Sequence, residues 1–295
     1  MIPGYLVDTI TSDRLELKGF WVDAKSDVAV LHSHGTAGDF YTHKFIEVEA
    51  ERLAKEGISF LTANNRGHDV YADIRKHVDG KVEWAQIGGG FEKFEDCVFD
   101  IAAWLDFLTT QGIKHVILQG HSLSQKALYY QHIKHDPRVI GQIHLSPQND
   151  AGVMKSILGD EKYKEVNAMI ARKLKEGKTR ELLPSELSAV CSMAVQGYAG
   201  YLTEDGIGNL SPYHNPGSPN WKILEATVDP LLVIFGSADI YMKPTVADAV
   251  KLWKEKATSA KSIAIEVVQG APHSYVGHEE KLVDVIQDWI RALVK

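Results

Sequence analysis

The sequence predicts an α/β fold, a mainly parallel sheet with helices on both faces, and three observations predict it. Short apolar runs such as Val28-Ala29-Val30-Leu31-His32, bounded by glycines, recur along the chain; they fit strands buried on both faces. Helical periodicities alternate with these runs, as in crossover-connected sheets. Ser122, Asp239 and His273 each follow directly on such a run, so parallel strand ends would gather them at one sheet edge.

Taken in order, Tyr5 to Thr11 and Leu15 to Val22 read as strands joined by a Ser12-Asp13 turn, an antiparallel entry. The run from Val28 leads into His34-Gly35-Thr36-Ala37-Gly38, then a helix from Thr42 to Lys55 and a strand from Ile58 to Ala63. Gly88-Gly89-Gly90 reads as a flexible helix entry. Phe91, Phe94, Val98, Ile101, Leu105 and Leu108 then recur every three or four residues, the stripe of an amphipathic helix. Val116 to Leu118 is a strand, followed by a helix near Ser124; Val139 to His144, Leu231 to Phe235 and Ser262 to Val268 are further strands. A closing helix carries Leu282, Val285, Ile286, Trp289, Ile290 and Leu293. Between Gln148 and Thr227 the rhythm breaks: helical patterns cover Glu161 to Glu176 and Glu186 to Tyr201, and no buried strand stands out. The expected organisation is a core of residues 1–147 and 228–295 with a helical cap inserted at 148–227.

Composition sets bounds on partners. A net charge of −7 argues against a nucleic-acid partner. No apolar stretch approaches the roughly 20 residues that cross a bilayer. The N-terminus lacks the basic start and apolar core of a signal peptide, and two cysteines, Cys97 and Cys191, make no disulfide framework. The expectation is a cytoplasmic protein without a membrane partner.

The sharpest chemical signal is Gly120-His121-Ser122-Leu123-Ser124, between a strand and a helix. A serine hydroxyl is a weak nucleophile, so it must be exposed on a tight turn and given a base. Ser124 stands where the usual turn has its second glycine; it is also an alternative nucleophile, though past the bend. His273 would take the Ser122 proton, and Asp239 would fix the histidine tautomer and stabilise the imidazolium. The oxyanion of acyl transfer needs two preorganised N–H donors. Leu123, following the nucleophile, would give one, and Thr36, with Ala37 as the alternative, the other. His121 reads as an elbow-packing residue that also touches substrate.

The elbow, His34-Gly35, Asn65-Arg66-Gly67-His68, the Gly-x-x-Asp ending at Asp239 and His273-Ser274-Tyr275 together resemble the α/β-hydrolase superfamily. A serine at the elbow departs from its dehalogenase and epoxide-hydrolase branches, which carry aspartate there. Residues Met169 to Pro184 resemble a branch that includes siderophore esterases. The resemblance implies a serine hydrolase of a small-molecule carboxylic ester, thioester or lactone, with no cofactor. Met169, Met193, Tyr198 and Tyr201 are candidates for the pocket lining. Two other readings stand beside it: carbon–carbon bond hydrolysis of a diketone by the same triad, and a hydrolase-like scaffold that only binds ligand. His32-Ser33-His34 could present two metal ligands on one strand face, but the Asp-His continuation of a metallo-hydrolase is missing. Gly88-Gly89-Gly90 lacks the Lys-Ser/Thr of a phosphate loop.

Overall fold

The computed structural model describes residues 3–188 and 191–295. Strands β1 (Tyr5–Ile10), β2 (Glu16–Val22), β3 (Val28–Ser33), β4 (Ser59–Ala63), β7 (His115–His121), β8 (Val139–Leu145), β9 (Leu231–Gly236) and β10 (Ile263–Val268) form one eight-stranded sheet in the order β1-β2-β4-β3-β7-β8-β9-β10. The β1–β2 and β2–β4 pairs are antiparallel, and every later pair is parallel. An antiparallel entry feeding a parallel sheet is what the sequence predicts.

The continuous apolar runs are explained by burial on two faces. Ala29, Leu31, Val116, Leu118, Leu231 and Val233 face one core with Leu105, Leu128 and Trp253; Val30, Ile117, Leu232 and Ile234 face the other with Phe45, Leu53, Leu282 and Ile290. Alternate side chains of a strand point to opposite faces, so each strand supplies both cores. Helices α2 (Cys97–Thr110), α3 (Gln125–Lys134) and α8 (Val246–Lys256) cover the first core, and α1 (Lys44–Lys55) and α9 (Glu279–Leu293) the second.

Between β8 and β9 the chain is helical, with α4 (Asp150–Leu158), α5 (Asp160–Lys175), α6 (Val195–Tyr201) and α7 (Lys222–Ala226). The helix expected over Glu186 to Tyr201 is observed only from Val195; residues 189–190 of it lie outside the described residues. Upstream, Leu183 N–H donates to Met193 O and Val195 N–H to Glu181 O. This pairing of residues 181–183 with 193–195 overrides the helical periodicity. Met193, Tyr198 and Tyr201 are buried in the core, with Met169 packed against it.

Two features of the stretch from Asn64 to Phe94 differ from expectation. β5 (Ala72–Val78) and β6 (Lys81–Ile87) make a hairpin that was not read, although Asp79-Gly80, both at positive φ, is a strong hairpin signal. Gly88, Gly89 and Gly90 are no flexible helix entry. Their N–H groups donate to Arg66, Asp69 and Val70 carbonyls, and regular helix begins only with a short 3-10 turn at Phe94–Asp96.

Candidate active site

β7 ends in a turn that places Ser122 at φ 64°, a left-handed conformation that costs a non-glycine residue of order 1 kcal/mol or more and persists only where the surroundings hold it. Gly120 permits the sharpness of the turn, since a Cβ there would stand 2.6 Å from Ser124 Cα. Ser124 is accommodated in place of a second glycine: it is buried, with its Oγ 3.1 Å from His144 Nδ1. That bond ties it to β8 and away from the pocket.

The expected base, His273, follows the end of β10 and the expected acid, Asp239, follows the end of β9. His273 Nδ1 lies 2.6 Å from Asp239 Oδ2. The other carboxylate oxygen accepts from Tyr241 N–H at 2.9 Å, so Asp239 is fixed at both oxygens and the histidine carries its proton on Nδ1. Ser122, His273 and Thr36 line one pocket of about 160 Å³, with His43, His121, Gln148 and Tyr241. A smaller space of about 20 Å³ behind the elbow, lined by Trp104 and Ala127, has room for one water. None of Met169, Met193, Tyr198 and Tyr201 lines the pocket at Ser122.

The loop after β3 approaches the serine from the other side. Gly35 is required there, because a Cβ would stand 2.7 Å from Ser122 Cβ. His34 shapes this loop rather than offering a metal-ligating face: its Nδ1 is 2.8 Å from Gly35 O, and its Nε2 accepts from Asn65 N–H at 3.2 Å. Burial holds the ring neutral, with its pKa well below the ordinary value. The Asn65 side chain donates to Ser33 Oγ and His34 O and accepts from Lys126 Nζ. Lys126 is in turn paired with the buried Glu92 at 2.5 Å. The end of β3, helix α3 and the segment after the hairpin are thus joined by one buried polar network. Arg66 extends it, forking to Asp100 and Asp13.

The backbone N–H groups of Thr36 and Leu123 have no hydrogen-bond acceptor among the described residues. A buried N–H without an acceptor is rare, and Leu123 is 3% exposed. Ala37 adopts φ 53° and is not part of the pocket wall.

Four pocket residues went unassigned or only partly assigned by sequence reasoning. His121 Nε2–H donates to His273 O at 2.9 Å, and its ring is held neutral by burial. His43 stacks edge-on against it, with centroids 4.9 Å apart. Tyr241 meets the His273 ring edge-on at 5.1 Å. Gln148, just past the end of β8, accepts the Ser122 hydroxyl at 2.6 Å through Oε1. No hydrogen bond joins Ser122 to His273 among the described residues. Position just past a parallel strand end was the available signal for Gln148, as for Asp239 and His273. Nearby, burial pushes the Asp150 carboxyl up to about 7, against the lowering influence of His273.

A family profile described as "Protein of unknown function (DUF1749)" matches residues 78–205. No curated protein matches the sequence. Solved structures match over nearly the whole chain. The siderophore hydrolase EstB from Aspergillus fumigatus is 18% identical with a TM-score of 0.69, covering 99% of this chain and 98% of that one. Est1E from Butyrivibrio proteoclasticus, with ferulic acid bound, is 14% identical with a TM-score of 0.67, covering 97% and 98%. The esterase Pf2001 from Pyrococcus furiosus is 16% identical with a TM-score of 0.62, covering 99% and 90%. At such identities what is shared is architecture, and with the sheet order and the serine turn already described it leaves one assignment: the chain has the α/β-hydrolase fold.

Proposed function

We propose that this protein is a serine hydrolase that cleaves a small-molecule carboxylic ester, thioester or lactone through an acyl-Ser122 intermediate. The observation that carries the reading is the Asp239–His273 hydrogen bond at the rim of the pocket that holds the strained Ser122 turn. The activities named for the siderophore hydrolase EstB and the esterase Pf2001 agree with it.

Catalysis begins when the Ser122 hydroxyl turns from Gln148 to His273. His273 Nε2 accepts its proton as Oγ attacks the carbonyl carbon, and the carbonyl electron pair moves onto oxygen. Thr36 and Leu123 N–H groups receive that oxyanion, a contribution of roughly 3–4 kcal/mol per donor to the barrier. Asp239 stabilises the imidazolium. Collapse of the intermediate breaks the bond to the leaving group, which takes its proton from His273. Water then attacks the acyl-enzyme, giving a proton to His273; collapse of the second intermediate breaks the bond from the acyl carbon to Ser122 Oγ, His273 returns the proton to Oγ, and the carboxylic acid leaves. No metal or cofactor enters these steps. Residues 148–227, in this reading, form the cap that selects the substrate.

The test is turnover of a p-nitrophenyl ester chain-length series, with Ser122→Ala in parallel. A burst and a chain-length preference, both absent from the variant, are expected. Wild-type turnover by Ser122→Ala would refute the mechanism.

A further inference from the structure

We propose that Gln148 determines substrate specificity, selecting esters that carry a hydroxyl or N–H donor on the carbon next to the scissile carbonyl. The inference deepens the hydrolase reading and rests on it. Gln148 Oε1 accepts the Ser122 hydroxyl at 2.6 Å in a buried setting. The residue is held at both ends of its own peptide unit. Its N–H donates to Ser122 O at 3.0 Å, and its carbonyl accepts from Gln125 Nε2. The backbone is thus anchored, and the side-chain carbonyl is held beside the nucleophile by its bond to the Ser122 hydroxyl.

This contact cannot survive catalysis. Once the Ser122 proton passes to His273, Gln148 Oε1 loses its donor in a pocket that the substrate then fills, and a buried acceptor left without a donor is unfavourable. The incoming acyl group can supply the replacement. When Oγ bonds to the carbonyl carbon, a substituent on the adjacent carbon lies three bonds from Oγ, about 3 Å away in a gauche arrangement. That is the sphere around Oγ on which Gln148 Oε1 already sits. A hydroxyl or N–H there takes over the bond that the serine gives up; a plain acyl chain leaves the carbonyl unpaired. Sites built to hydrogen-bond a substrate group discriminate strongly against analogues without it.

The test measures kcat/KM on ethyl 2-hydroxypropanoate, ethyl 2-methoxypropanoate and ethyl propanoate, each normalised to its hydroxide-catalysed rate. The methoxy ester keeps the inductive effect of the oxygen but has no donor. Wild type is expected to prefer the hydroxy ester to both others by about tenfold or more. Gln148→Leu should bring the ratios to within about twofold, and Gln148→Glu, which keeps an acceptor in place, should retain the preference. Fluorophosphonate labelling of Ser122 should be about three- to tenfold faster in Gln148→Leu, whose serine is free to face His273. Gln148→Met serves the same purpose if the leucine variant does not fold. No preference in wild type, or a preference unchanged in Gln148→Leu, overturns the inference while Ser122 labelling leaves the hydrolase reading standing. Failure of Ser122 to label at all overturns both.

Discussion

At the scale of residues, the site is a division of labour set by hydrogen bonds. Asp239 has one oxygen on His273 and the other on Tyr241 N–H, and in the proposed mechanism it fixes the histidine tautomer. Asp239→Asn should keep the fold and lower kcat on the order of 10³–10⁴-fold, as measured on the best ester of the chain-length series. Ser122, Asp239 and His273 were legible in the sequence because each is punctuation at the end of an apolar run, a short-range signal. The expectation of Thr36 and Leu123 as donors rests on the same kind of signal, the place of their loops. Gln148 was not assigned, because its meaning is a contact with Ser122, 26 residues away, that exists only once β8 lies beside β7. Nor could Ser124 be resolved in advance, since its fit in place of glycine depends on His144 across the same strand pair.

At the scale of elements, the parts that carry the site are braced by buried polar groups whose loss should be costly. Tyr213 OH donates to Pro147 O at 2.8 Å and accepts from Trp253 Nε1 at 2.8 Å. It pins the segment between β8 and β9 to the strand end that bears Gln148. Tyr213→Phe strands both partners and should lower stability by about 1–3 kcal/mol in denaturant unfolding. Arg66 is more demanding, because Asp100, 1% exposed, has it as partner through three hydrogen bonds and a backbone one. Arg66→Met, leaving that carboxylate without its ion pair, should cost about 3–5 kcal/mol. The sequence marked Asn65-Arg66-Gly67-His68 as a motif without saying what it does; the structure shows Asn65 and Arg66 as braces. Elements defined by apolar periodicity, such as α5 and α9, were legible to within a few residues, whereas α2 begins at Cys97, six residues after the stripe's first member, Phe91. The hairpin β5–β6 has exposed residues on both strands, so it lacks an apolar stripe. The segment before α6 is set by pairing of Glu181 and Leu183 with Val195 and Met193, a longer-range contact than any periodicity reports.

At the scale of the whole molecule, two buried carboxyls couple folding to pH. Glu49, beneath β3 and β7, is hydrogen-bonded by Gln119 at 2.8 Å, and burial pushes its carboxyl up from 4.5 to about 8. Asp150 is pushed from 3.8 to about 7, also by burial. The folded state binds both protons more tightly than the unfolded chain does. Their contribution to stability is therefore fully present below about pH 4 and is lost as pH rises toward 8. Urea unfolding should show stability falling between about pH 4 and 8, and Glu49→Gln should flatten that fall while keeping a hydrogen-bonding side chain against Gln119. A pH dependence identical in wild type and variant would remove Glu49 from the account. The α/β class was legible at this scale because two-faced burial writes itself into every parallel strand. The face each helix covers was not, since apolar runs do not record on which side of the sheet a helix crosses.

The central claim is that Ser122 is a nucleophile activated by His273. Intact-protein and peptide mass spectrometry after fluorophosphonate treatment tests it most directly, with Ser122→Ala and His273→Ala alongside. The account predicts a single adduct on Ser122, absent from Ser122→Ala and formed at least a hundredfold more slowly in His273→Ala, on the order of general-base catalysis. An unmodified Ser122, or an adduct that forms equally fast without His273, would contradict it.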